Sequence, residues 1–281
     1  MPTAMSDKEF IHLCQPDACK SCGACCGLYN YADSTRKSLT GRLRRRTGLF
    51  REKVKGPTDL KPFSELIRGT EDNARIYEVI YCCEYLGFIE GEKKVGCLLH
   101  PYQNNGADLR EVSFYGRELC DGHFCPSYYY ISPAEKKALL NIIDDWYLYG
   151  LCVTDIDLVK DYFRLISEEV GEMPHPETFL LKGVKAAALA FFQLKTAWPF
   201  RSDAANRFGK YYFDGSQYMI HHIDYEKLGC ERSKYNRIFQ SLTSEFNDAA
   251  GVRSAEELVK GHIDNFALAH RGESWLRNKL S

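Results

Sequence analysis

Ten of the twelve cysteines in this 281-residue chain lie between Cys14 and Cys125. That is about 9% of the stretch, a density at which a disulfide scaffold or a metal site becomes the expected organising element. The opening MPTAMSDKEFIHLC has no basic segment followed by an apolar one, so the expectation is a protein that is not exported and is cytoplasmic. In a reducing compartment disulfides are disfavoured, and clustered cysteines read as metal ligands or redox groups.

The spacing sharpens that reading. Cys19, Cys22 and Cys25 follow C-x2-C-x2-C, and Cys26 is adjacent to Cys25. A C-x2-C step lets two thiolates of one tight turn reach one metal, and Gly23 eases the turn. The triple step also occurs in iron–sulfur proteins, with a further ligand supplied from a distance. Neighbouring side chains point apart, so Cys25 and Cys26 serve two metals, or one of them stands behind the other. The distant donors are Cys82 and Cys83, Cys97, Cys120 and Cys125. His100 and His123 stand within three residues of a cysteine as replacement ligands, with turn or packing roles the plainer reading. Arg117 is placed to donate to a thiolate or sulfide. Cys14, Cys152 and Cys230 read as ordinary thiols.

This arrangement resembles the CxxCxxCC zinc- or iron-chelating domain family, the YkgJ-like cysteine-cluster proteins. The family pattern is C-x2-C-x2-C-C, then C-x-aromatic-Leu, Gly-Cys, Arg-Pro-x-x-Cys, and a last cysteine after an aromatic residue. The chain offers Cys19, Cys22, Cys25 and Cys26, then Cys83-Glu84-Tyr85-Leu86, Gly96-Cys97, Arg117-x-x-Cys120 and Phe124-Cys125. Glu118 replaces the usual proline, and the doubled Cys82-Cys83 leaves two choices for the fifth ligand. The resemblance covers residues 14–130. It implies metal binding through Cys19, Cys22, Cys25, Cys26, Cys83, Cys97, Cys120 and Cys125, with zinc or iron open, and names no reaction. A weaker likeness to flagellin lysine N-methylases implies an iron–sulfur cluster.

After residue 130 the pattern turns helical. Ser132-Pro133-Ala134-Glu135 is a helix start, and the segment that follows is expected to run as one helix to Gly150. Ile156, Val159, Phe163, Ile166 and Val170 share a helical face ahead of Gly171. An apolar helix is expected over Thr178–Trp198. Its lysines, Lys182, Lys185 and Lys195, argue for a buried helix rather than a membrane span. A hairpin is expected near 207–223, then a helix carrying Ile238, Leu242 and Phe246, then one starting at Ser254. Earlier, residues 34–55 read as a basic helix, and strands are expected on either side of Gly91. Tyr128, Tyr129, Tyr130, Trp146, Tyr147 and Tyr149 read as core packing, and His221 and His222 as side chains facing opposite ways.

The basic residues of 36–55 outnumber its one acid, Glu52, by eight. An acidic protein or RNA partner is one reading of that segment and a solvated helix face is the plainer one. No P-loop, G-x-G-x-x-G, H-E-x-x-H or G-x-S-x-G is present, which removes common enzyme classes and leaves enzymatic activity open. The expected protein is therefore α+β: an irregular, metal-stabilised cysteine-cluster domain over 1–130, then a mostly α-helical domain over 131–281. Loops so rich in glycine and cysteine are expected to bury little apolar surface themselves. An iron–sulfur cluster (4Fe–4S) is favoured over zinc, with no membrane span. A structural metal leads, ahead of an iron–sulfur enzyme or electron carrier and a redox or metal sensor.

Overall fold

The computed structural model describes residues 11–203 and 209–280, the backbone alone for 273–280. Residues 1–10, part of the segment behind the export reading, lie outside the described residues. The chain is mixed helix and sheet, with helix predominating. It divides into a unit of residues 12–128 with 145–151, and a unit of residues 129–144 with 152 onward.

The first unit is built on helices α1 (Arg36–Lys53) and α2 (Leu60–Thr70) and the antiparallel hairpin β1 (Leu86–Glu90) and β2 (Lys94–Cys97). Thr35 caps α1 through its side chain, and Leu39, Leu43, Thr47 and Phe50 form the buried stripe of the helix. Thr47 also bonds the hairpin: the Phe88 N–H donates to its hydroxyl at 2.7 Å. Gly87 makes that approach possible, since a Cβ there would lie 2.7 Å from the Thr47 oxygen. On α2, Leu60, Phe63 and Ile67 complete a core with Phe50, Tyr85, Leu98 and Leu99. The expectation that this half buries little apolar surface is thus not met. The basic helix and the strands beside Gly91 fall where the pattern placed them. Beyond the hairpin the chain is irregular as far as α3 (Gly116–Gly122) and the short α4 (Ser127–Tyr130).

In the second unit, α5 (Pro133–Ile142) begins at the expected capping box and stops early. The single helix expected to reach Gly150 is broken at Ile143-Asp144-Asp145, and α6 (Trp146–Val153), most of which belongs to the first unit, starts anew. The reason is local: Asp145 Oδ1 accepts from the N–H groups of Tyr147 and Leu148, which nucleates a new N-terminus. Helix α7 (Ile156–Val170) ends at left-handed Gly171. Helix α8 (Lys182–Ala197) is preceded by a 3-10 turn at Pro176–Leu180, so Thr178 lies in that turn. The hairpin is β3 (Tyr211–Asp214) with β4 (Gln217–Ile220), and residues 204–208 lie outside the described residues. Helix α9 (Asn236–Ser241) is too short to include Leu242 and Phe246, because Thr243 adopts a positive φ of 54°. Helix α10 (Ala249–Leu280) begins five residues before Ser254, with Asp248 Oδ1 accepting the Gly251 N–H at 2.8 Å. Tyr162, Phe163, Phe179, Phe191, Phe192 and Phe266 form the aromatic core of this unit.

Among the described residues no helix is long and apolar enough to cross a membrane. Of the aromatic residues read as core, Trp146 and Tyr149 are buried, while Tyr129 and Tyr130 are exposed. His221 is buried and His222 exposed, but both follow the end of β4 rather than lying in the strand.

Candidate metal centre

The cysteine loops belong to the first unit and are closed on one another by backbone bonds. The Cys22 N–H donates to the Cys14 carbonyl at 2.9 Å, and the Cys83 N–H to the Cys26 carbonyl at 2.9 Å. Gly27 permits the second closure. Its φ is +77°, and a Cβ there would come within 2.2 Å of the Tyr81 carbonyl oxygen. The start of the loop is held from the 145–151 segment, where the Tyr149 hydroxyl donates to the Leu13 carbonyl at 2.9 Å.

Consecutive residues of a 3-10 turn splay apart, and Ala24–Cys26 is such a turn. On one side, the Cys25 thiol donates to the Cys125 sulfur. Tyr128 takes the Cys14 N–H at 3.1 Å, lies 3.5 Å from the Cys14 Sγ with its hydroxyl donating, and follows Cys125 in the same turn. On the other side, Cys26, Cys83 and Cys97 pack together against Phe63, Tyr85, Leu98 and Leu99. The β ladder brings Cys97 opposite Leu86, three residues after Cys83. Cys120, on α3, has its Sγ 3.5 Å from the Ser113 hydroxyl.

The electrostatics follow this division except where Cys22 acts on Cys26. Burial pushes the Cys22 thiol up to about 12, and the nearby Cys14 and Cys125 push the same way. Burial also raises Cys14, with Cys125 adding to it. Cys125 is lowered to about 6, chiefly by the hydrogen bond from Cys25. In the second group, burial raises Cys26 well above the ordinary value, and Cys83, Cys97 and Cys120 add to it, with a smaller push from Cys22 of the first group. Burial takes Cys83 to about 12 and Cys97 to about 11, with Cys97 acting on Cys83 and Cys120 on Cys97. Neutral thiols crowded in this way resist ionisation unless a cation compensates them.

Backbone N–H groups are aimed at the sulfurs. The residue two positions on donates to the sulfur at Cys22 (from Ala24), Cys83 (from Tyr85), Cys97 (from Leu99) and Cys125 (from Ser127). Such bonds favour the thiolate. The donors are all sulfur, which suits zinc or an iron–sulfur cluster. The chemistry of the donor set therefore fits the expected groups. As they stand, no three Cys, His, Asp or Glu side chains among the described residues form a group that could hold a metal ion, so binding requires the sulfurs to draw closer. No disulfide is present among the described residues.

These bonds, packing contacts and mutual effects link seven of the eight expected cysteines; Cys19 is exposed, as are Cys25 and Cys120. Asp17 Oδ1 accepts from the N–H groups of Cys19 and Lys20, both at 2.8 Å, and this Asx turn leaves Cys19 exposed. Cys14 stands with the gathered sulfurs instead, eight residues before Cys22 and outside any local motif. The doubled pair separates: the Cys82 thiol is buried and donates to the Gly27 carbonyl at 3.3 Å, while Cys83 faces Cys26 and Cys97. His100 Nδ1 accepts from the Tyr102 N–H, and His123 is exposed at the end of α3. Arg117 is exposed; the arginines whose charges favour cysteine thiolates are Arg110 at Cys97, Arg46 at Cys82 and Cys83, and Arg75 at Cys82, with Arg110 held by Asp108 and Asp121.

Part of the basic run of 36–55 is paired with acids, although most of its basic side chains stay exposed. Arg42, Arg45 and Arg46 converge on Glu71, Arg44 pairs with Glu92, and Arg36 pairs with Asp145. No protein-family model, curated protein or solved structure matches the chain.

Proposed function

We infer that residues 12–128 are a metal-binding module whose cysteine thiolates hold an inorganic centre. The observation that carries this reading is that eight cysteines, drawn from residues 14–125, lie in one unit with backbone donors directed at four of their sulfurs. Packing alone does not require such donors. The cysteine pattern of the YkgJ-like family points to the same chemistry. An iron–sulfur cluster is the favoured occupant and zinc the alternative.

A shell filled by cysteine leaves no open coordination position, which favours a structural or electron-carrying centre over a catalytic one. Closing loops 12–27, 81–85 and 113–126 around a metal would brace the irregular part of the unit. Anaerobic purification of the full chain tests the reading. Iron, acid-labile sulfide and a broad visible charge-transfer band are expected. A colourless protein containing zinc selects the alternative, and a chain free of both metals defeats the reading.

A further inference from the structure

We propose that the module holds two separate metal centres, one on Cys14, Cys22, Cys25 and Cys125, the other on Cys26, Cys83, Cys97 and Cys120, joined at the Cys25–Cys26 peptide bond. This rests on the metal-binding reading and goes beyond it in number, membership and arrangement.

Three observations carry the division. First, Cys25 and Cys26 leave the 3-10 turn in different directions and meet different partners. Cys25 reaches Cys125, whereas the Cys26 carbonyl takes the Cys83 N–H and its side chain packs with Cys83 and Cys97. Second, Tyr128 ties Cys14 to the turn that carries Cys125, which brings a cysteine from outside the C-x2-C-x2-C run into the first set and completes four sulfurs without Cys19. Third, the backbone donors are shared evenly: Cys22 and Cys125 receive them in the first set, Cys83 and Cys97 in the second.

The two sets differ in surroundings. The second has its backbone anchored in the Phe63–Leu98–Leu99 core, while the first lies on loops clamped by Tyr128 and Tyr149. Four thiolates bind a divalent ion or a 4Fe–4S cluster by metal–sulfur bonds, releasing their protons to solvent, with no redox change at sulfur.

The test compares metal per chain, by elemental analysis and native mass spectrometry, in anaerobically purified full-length wild type, C14S, C19S and C120S. Wild type is expected to carry two centres. C14S and C120S should each retain half of the wild-type metal, and C19S all of it. Retention of half also shows that the variant has folded. Full metal in C14S, half in C19S, or complete loss of metal in both C14S and C120S overturns the division. A wild type without metal defeats the underlying reading itself.

Discussion

The Arg46 guanidinium, on a side chain almost wholly buried, donates from Nη1 to the carbonyl oxygen of Cys83 at 2.8 Å. The same guanidinium bonds Glu71 and the Tyr31 hydroxyl. Helix α1 thus holds in place the backbone of a proposed metal ligand. Of the basic residues of 36–55, Arg46 is the one buried inside the fold in this way, while Arg36, Lys37, Arg44, Arg45, Arg51, Lys53 and Lys55 are exposed.

Breaking that anchor has a definite cost. Removing one partner of a buried ion pair destabilises a protein by about 3–5 kcal/mol. Arg46→Met is expected to fall in this range by urea denaturation and to lower metal content with it. A loss under about 1 kcal/mol, within the range of exposed pairs, would contradict the role assigned here.

Gly27→Ala places a Cβ against the Tyr81 carbonyl in a left-handed backbone. The conformation alone costs an L-residue about 1–2 kcal/mol, and the clash adds to it. The variant should melt at a lower temperature and carry less metal. An unchanged melting curve would show that the loop closes without this contact.

The adjacent thiols should separate cleanly. Cys82→Ala removes a buried sulfhydryl that bonds Gly27, so it should cost stability and leave metal per chain unchanged. Cys83→Ser should reduce the metal. Equal metal loss from the two substitutions would refute the assignment.

Chelation should act first on the loops. Helices α1 and α2 have their own apolar core, so a strong chelator is expected to expose 14–26 and 113–126 to protease while much of the helical far-UV signal survives. Simultaneous loss of all helical signal would show that the metal, rather than this core, carries the unit.

Burial holds His262 below its ordinary value, with its ring edge-on to Phe191. The folded state therefore prefers the neutral ring, while the unfolded chain protonates near 6.5. The stability this contributes is complete above that pH and is lost as pH falls from there through the lower folded value. Between pH 7.5 and 5.5 wild type should lose more stability than H262Q, by parallel denaturant titrations. Equal losses would exclude the effect.

Local chemistry was readable in the chain itself. The capping box at Ser132, the stop at Gly171, the amphipathic stripe of α1 and the strands beside Gly91 depend on neighbours a few residues away. The cysteine density likewise marked the first unit, which holds all ten cysteines between Cys14 and Cys125. What the chain did not display were contacts between distant residues. Cys14 joins Cys125 through Tyr128 across more than a hundred residues, and an Asx turn at Asp17 fixes the backbone of Cys19. Four arginines of the basic segment pair with Glu71 and Glu92, which come near only when α1 packs. The break at Asp145 exchanges one long helix for two, and residues 145–151 join the earlier unit. Spacing along a chain limits which sulfurs can share a turn; only folding, by pairing side chains remote in sequence, decides which of them meet.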